Sequence, residues 1–407
     1  MPNTKKSFMI SMLNITNNTE KPEKCAHTEY CGGCDHQGMD YAVQLRLKND
    51  EVERLLKEKN IKCNEYLGIA GSPDLERYRN KMEYTFGDFT KGGEMTLGMH
   101  KKNNYMSVIT VDECRLVDED FNRILKATLE FCIKKEYSFY NKKSHKGLLR
   151  HLIIRKGERT REILVNIVTS EDGVFHAGEY TELILKLKLN NGIVGIINTV
   201  NGRRADAVNC DKLNVLQGRD YYFEQIGDLN FKVSPFSFFQ TNTAAAERLF
   251  TEALTMAGGL QGKTVFDLYC GTGTISQIAA GKAKKVIGIE LNPESVLSAR
   301  ENAALNGTSN CDFFAGDVFE VMGKLDQKPD VIILDPPRAG VPPKALDKII
   351  SYGAERIIYI SCNPKTFVEN LYYLQYYGYK ADVIKAYDNF PFTKHCECAA
   401  SLRKETI

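Results

Sequence analysis

The chain runs to 407 residues, enough for two or three domains with cores of their own. Hydrophobic residues at 43% and charged residues at 26% predict a soluble globular protein, and no apolar run reaches the length of a membrane helix. A net charge of +2 is too small to announce a nucleic-acid partner by itself. No secretory cleavage site is evident, so the twelve cysteines predict reduced thiols in a cytoplasmic chain rather than a disulfide scaffold.

Residues 1–24 are polar and rich in Asn and Thr, and a flexible tail is expected. Next comes Cys25-x5-Cys31-Gly32-Gly33-Cys34, three thiols within ten residues with two glycines for a tight wrap. Such a set suits a soft metal or an iron–sulfur cluster once a fourth ligand is found. Cys63, Cys114, Cys132, His27 and His36 are candidates, and spacing alone does not choose between cluster, zinc and free thiols. Residues 39–60 read as one helix, with Leu45, Val52, Leu55 and Leu56 at helical spacing.

From 61 to 234 the pattern turns to alternating strands with turns. Strands are expected at 81–86, 95–99, 106–110, 148–155, 162–169 and 192–198, with helices near 119–135 and 180–189. An α+β unit follows. Between 141 and 161 eight Lys/Arg stand against one acid, Glu158, a basic stripe that would suit phosphate.

Residues 231–240 form the hinge into the last unit, and Thr241 or Asn242 can cap a helix running to 256. Strands at 264–267, 285–290, 311–314, 331–335 and 356–362 then alternate with helices at 274–280, 293–306 and 343–352. Such βαβ repetition predicts a parallel sheet covered by helices.

Four stretches carry chemistry. Val265-Phe266-Asp267-Leu268-Tyr269-Cys270-Gly271-Thr272-Gly273 is a strand, an acid and a Gly-x-Gly turn opening a helix, and Glu290 closes the next strand. Glycines admit a ligand to the backbone, and an acid at a strand end binds ribose hydroxyls. Ser276 stands where a dinucleotide fold wants its third glycine, and Asp267 would repel a pyrophosphate. The loop therefore suits a cationic ligand such as S-adenosylmethionine. Asp335-Pro336-Pro337-Arg338 fixes a rigid turn at another strand end. In Ser361-Cys362-Asn363-Pro364 the proline ends the strand, which leaves Cys362 at its carboxyl end. The tail supplies Pro391-Phe392-Thr393-Lys394-His395-Cys396-Glu397-Cys398.

A thiol with a carboxylate suits covalent catalysis at a pyrimidine. C5 of uracil is too weak a nucleophile to take a sulfonium methyl unaided, whereas a thiolate on C6 makes it an enolate carbon, and a carboxylate then removes the C5 proton. Cys362 and Glu397 fit those roles, on a base that is unpaired or flipped out. Cys270 is the rival thiol, and His395 with Cys396 and Cys398 is a rival metal site.

Ser234-Pro235-x-x-Phe238-x-Gln240, the Asp267 to Gly273 loop, Asp335-Pro336-Pro337-Arg338, Ser361-Cys362-Asn363-Pro364 and Phe390-Pro391-x-Thr393-x-His395-x-Glu397 together resemble the RNA uracil-C5 methyltransferases. Tyr78-Arg79-Asn80-Lys81, Leu97-Gly98-x-His100 and Arg150-His151-Leu152 extend the resemblance upstream. It implies a Rossmann-like S-adenosylmethionine-dependent methyltransferase domain over 235–407, an α+β RNA-binding domain over 61–234 that supplies Cys114, and a cluster-binding segment with its helix over 25–60. Gln240, Tyr269, Glu290 and Asp335 match the cofactor-holding positions, Cys362 the nucleophile and Glu397 the base. Cys25, Cys31, Cys34 and Cys114 match the ligands of a [4Fe–4S] cluster, which in this family looks like a mark of the branch acting on 23S ribosomal RNA rather than transfer RNA. A monomer is expected, with the helix over 39–60 packed on the catalytic domain. Many ribosomal-RNA members begin with a small β-barrel, and the 24 residues before Cys25 are too few for one.

Overall fold

The structure is a computed structural model that describes residues 24–204 and 208–405. The expected tail, Lys24 apart, lies outside them. In chain order the first part carries α1 (Tyr41–Glu58), β1 (Cys63–Ala70), β2 (Lys81–Asp88), β3 (Met95–Lys101), β4 (Asn104–Thr110), α2 (Glu119–Lys134), β5 (Leu149–Lys156), β6 (Glu162–Thr169), α3 (Ala177–Leu185), β7 (Gly192–Val200) and β8 (Lys212–Gly218). A hairpin, β9 (Tyr222–Ile226) and β10 (Leu229–Val233), leads to α4 (Thr243–Thr255). The rest alternates as β11 (Thr264–Leu268), α5 (Thr274–Ala280), β12 (Lys285–Glu290), α6 (Pro293–Leu305), β13 (Cys311–Ala315), α7 (Val318–Met322), β14 (Val331–Leu334), α8 (Pro343–Ser351), β15 (Arg356–Ser361), α9 (Pro364–Tyr376), β16 (Tyr379–Tyr387) and β17 (Glu397–Lys404).

Two large sheets result. The first orders its seven strands β4-β3-β2-β5-β6-β7-β8, antiparallel except where β6 meets β7. Phe121, Ile124 and Leu125 of α2 and Tyr180 and Ile184 of α3 bury against it. The second orders eight strands β1-β16-β17-β15-β14-β11-β12-β13. Its central strands are nearly continuous Val and Ile, the composition of strands covered on both faces.

Three expectations change here. The α+β unit was expected to begin at 61, but β1 pairs in parallel with β16 and so belongs to the second sheet. That sheet is also not wholly parallel: β17 runs antiparallel between β15 and β16. Alternation of strands and helices reports crossovers, and the last connection, 388–396, contains no helix, so β17 returns the opposite way. The basic stripe is structural in part, with Arg150, Arg155 and Lys156 buried. β5 lies mid-sheet with every residue buried. Arg150 donates to the carbonyls of Asn201 at 2.9 Å and Arg203 at 2.6 Å, and Arg155 to that of Ser237 at 2.9 Å. Lys156 pairs with Asp118 at 2.8 Å and Arg159 with Glu247. Lys143, Lys146, Arg159 and Arg161 remain exposed.

The first helix packs on the second sheet: Val52 and Leu56 enter the same core as Phe367, Leu371 and Leu374 of α9. Asp40 caps it, accepting from the amides of Ala42 at 2.8 Å and Val43 at 3.3 Å.

Candidate active site

β15 ends at Ser361, and Asn363 opens α9 by accepting from the amide of Lys365 at 3.1 Å. Cys362 is caught between strand and helix, half-buried, at the carboxyl edge of the sheet. The antiparallel register pairs Ser361 with Cys398. Cys362 follows and Glu397 precedes that last pair, and Glu397 lies near enough to raise the Cys362 thiol. Thus the two residues sequence places 35 positions apart (397 − 362) become neighbours because β17 is antiparallel.

The electrostatics agree. Burial, then the nearby Asp335, push the Glu397 carboxyl up to about 8, against the pull of the Arg338 guanidinium. Burial first, then Glu397 and Asp335, raise the Cys362 thiol, and Arg338 again opposes them. Asp335 itself is pushed up to about 6 by burial. Carboxyls raised by burial and by one another are a frequent property of catalytic sites.

Arg338 is the residue whose importance its motif concealed. Its carbonyl accepts from Asn363 Nδ2 at 3.1 Å and Thr366 Oγ1 at 3.3 Å, which ties the Asp-Pro-Pro turn to the cysteine turn. Its Nη2 donates to His395 Nδ1 at 2.8 Å. Burial and this guanidinium hold the imidazole below its ordinary value, so it accepts as a neutral ring. A positive residue facing a thiol is the signal that could have found it.

The cofactor loop adjoins this cluster. Asp267 is fully buried at the end of β11, and burial pushes its carboxyl up to about 7. Ser276 Oγ donates to one carboxyl oxygen at 2.5 Å, while Oδ1 is buried without a partner. Tyr269, with φ +69°, turns the chain sharply out of the strand. At Gly273 a Cβ would come within 2.8 Å of the Phe313 ring, whereas at Gly271 it would meet open space, where a ligand can approach the backbone. Glu290 accepts from the amides of Gly271 at 3.2 Å and Asn292 at 3.0 Å, beside Leu291, which is 70% exposed. Gln240 precedes α4, its carbonyl held by Asn80 Nδ2 at 2.9 Å. Asp335 raises both Asp267 and Glu397, so it lies within electrostatic reach of both the Asp267 to Gly273 loop and the thiol–carboxylate pair. The rival Cys270 is buried, and its thiol sits well above its ordinary value.

Cys25, Cys31, Cys34 and Cys114 line one cavity of about 330 Å³, which Arg338, Phe390, Thr393 and His395 also line. Of the other candidate ligands only His27 reaches it. Burial pushes the Cys34 thiol up to about 11 and that of Cys114 to about 12. Among the described residues no three His, Cys, Asp or Glu side chains are arranged to hold a metal ion, and this includes His395 with Cys396 and Cys398.

Residues 40–405 match the family model described as tRNA (uracil-5-)-methyltransferase. An RNA methyltransferase of Clostridium tetani is 50% identical over 382 residues, 94% of this chain and 84% of the relative. One from Caldanaerobacter subterraneus subsp. tengcongensis is 46% identical over 385 residues, 95% of this chain and 85% of the relative. The crystal structure of Pyrococcus abyssi tRNA (uracil-54, C5)-methyltransferase with S-adenosyl-L-homocysteine matches with a TM-score of 0.73 at 28% identity, covering 91% of this chain and 86% of that one. With the methyl-donor loop, the thiol and the carboxylate on one sheet edge, these matches place the chain in the tRNA (uracil-5-)-methyltransferase family, as an S-adenosylmethionine-dependent RNA methyltransferase.

Proposed function

We propose that this enzyme methylates C5 of a uridine in 23S ribosomal RNA through a covalent bond between Cys362 and C6. The observation that supports the reading is the register ending on Ser361 and Cys398, which brings the Glu397 carboxylate near enough to raise the Cys362 thiol. The thiolate adds to C6 and the C5–C6 electron pair moves onto O4 as an enolate. S-adenosylmethionine, when bound, supplies an electrophilic methyl carbon. C5 attacks that carbon, the S–CH3 bond breaks, and Glu397 takes the C5 proton. The electron pair of that C–H bond restores C5–C6 and expels the Cys362 thiolate.

Gln240, Tyr269, Glu290 and Asp335 hold the methyl donor in this reading, with Glu290 at the ribose. The donor's ammonium group fits the orphaned oxygen of Asp267, a buried acceptor otherwise left without a bond. The first sheet's domain, with Lys143, Lys146 and Arg161 exposed, gives the RNA a second surface. The enzyme acts as a cytoplasmic monomer in this account. Among the described residues no helix is long and apolar enough to cross a membrane.

Cys25, Cys31, Cys34 and Cys114 hold a [4Fe–4S] cluster in the same proposal. The four thiols line one cavity, and an all-thiol donor set is the chemistry that an iron–sulfur cluster takes. Purified without air, the protein is expected to carry iron and sulfide with broad visible absorbance. Cys34→Ser and Cys114→Ser should lose both, and a colourless wild-type protein reconstituted with iron and sulfide would reject the cluster.

The ribosomal target rests on that four-cysteine cavity. A transfer-RNA target is the second reading, because the family description and the Pyrococcus structure both name tRNA. Purified enzyme should place 5-methyluridine in 23S transcripts, located by mass mapping, and leave transfer RNA unmodified. The reverse pattern would move the target to tRNA, and methyl groups on any atom other than C5 would reject the chemistry.

A further inference from the structure

The buried stripe of α1 reads Gln44, Lys48, Val52, Leu56, a spacing of four throughout. Its second half packs on the sheet as apolar stripes do. Its first half buries an amide and an ammonium, which costs free energy unless each is bonded. Gln44 is 0% exposed and Lys48 4%.

Both reach the 388–396 loop, the segment that joins β16 to β17 and delivers Glu397. Lys48 Nζ donates to Asp388 Oδ1 at 2.6 Å and to the Phe390 carbonyl at 3.2 Å. Gln44 Oε1 accepts from the amide of Phe392 at 2.9 Å. Phe392 has φ +64°, a left-handed conformation that a non-glycine residue keeps only when its surroundings impose it. Its carbonyl in turn accepts from the amides of Asp35 at 3.0 Å and His36 at 2.9 Å, directly after Cys34. Tyr78 adds a hydroxyl to the Pro391 carbonyl at 3.0 Å.

We propose that Gln44 and Lys48 are positioning residues for Glu397: α1 holds the 388–396 loop in its strained path and so sets the carboxylate against Cys362 and the ring that Cys362 attacks. This rests on the reading of Glu397 as the base. Methyl transfer precedes the base's step, so loosening the loop should slow release rather than attack. A purely structural role would lower the amount of folded enzyme without changing the partition between adduct and product.

The test compares wild type, Glu397→Gln and the double variant Lys48→Met/Asp388→Asn, which leaves no buried charge unpaired. Gln44→Met frees the Phe392 amide, and with it the Met39 carbonyl at 2.9 Å, and serves if the double variant does not fold. Each protein is mixed with labelled uridine-containing RNA and S-adenosylmethionine, and the covalent protein–RNA band is quantified on a denaturing gel beside turnover. The double variant is expected to lose on the order of tenfold or more in kcat, to raise the adduct fraction several-fold, and to keep the KM for S-adenosylmethionine. Wild-type turnover and adduct level in the double variant, with adduct accumulating in Glu397→Gln, would overturn the positioning role alone. No adduct in Glu397→Gln would overturn the assignment of the base, and the positioning role with it.

Discussion

Cys362→Ala is expected to abolish methylation, by at least ~10⁴-fold in kcat/KM or roughly 5.5 kcal/mol of transition-state stabilisation, while S-adenosylmethionine still binds. In the proposed mechanism only the thiol turns C5 into a carbon nucleophile, and alanine offers no substitute. The residues proposed to hold the donor lie on other strands: Asp267 is the penultimate residue of β11, Glu290 ends β12 and Asp335 follows β14. Calorimetry with S-adenosylhomocysteine should therefore give the wild-type affinity. Loss of a half-buried Sγ at a strand end should change the melting temperature little. Cys270→Ala makes the complementary control: its thiol, buried and held well above the ordinary value, is a poor source of thiolate, so the variant should still form the adduct. A methylating Cys362→Ala protein would end the covalent reading.

What made this site legible was punctuation. Gly271 and Gly273, Pro336 and Pro337, and Pro364 mark three strand ends on one sheet edge, and their neighbours Asp267, Asp335 and Cys362 follow from them. The strands and helices expected in the βαβ part fell within a residue or two, since covered strands of Val and Ile leave strong local patterns, but α7, α9, β16 and β17 were not expected. What stayed hidden depends on long-range pairing. β1 reads locally as another strand of the middle unit, and only its pairing with β16 moves it. β17 carries no local mark of its direction. Lys48 looks like one more solvated lysine of an amphipathic helix, because its partner Asp388 is 340 residues away. Arg150, Arg155 and Lys156 looked like an RNA-facing stripe because a count of charges is blind to burial.

Glu397→Gln is expected to trap the methylated protein–RNA adduct and to lower turnover by roughly 10²- to 10⁴-fold, the usual contribution of a placed base. The amide keeps the shape of the side chain and cannot take the C5 proton, so the C6–S bond persists through denaturation. The pH dependence follows from the raised carboxyl. With its value near 8, the free enzyme holds Glu397 mostly protonated at neutral pH, and both it and the raised Cys362 thiol gain their active forms as pH rises. Turnover should climb from pH 6 to about 9, and Glu397→Gln should lose the Glu397 portion of that rise. Stability moves the other way. Between the ordinary 4.5 and the folded value of about 8, the folded state keeps a proton that the unfolded state has lost. Stability from this group is therefore full below 4.5 and falls as pH rises through 8, by a few kcal/mol at most. The glutamine has no such term, so at pH 9 the variant should melt above the wild type, with the gap closing toward pH 4.5. A variant that melts lower at pH 9 and turns over without adduct would show that this carboxylate is neither desolvated nor the base.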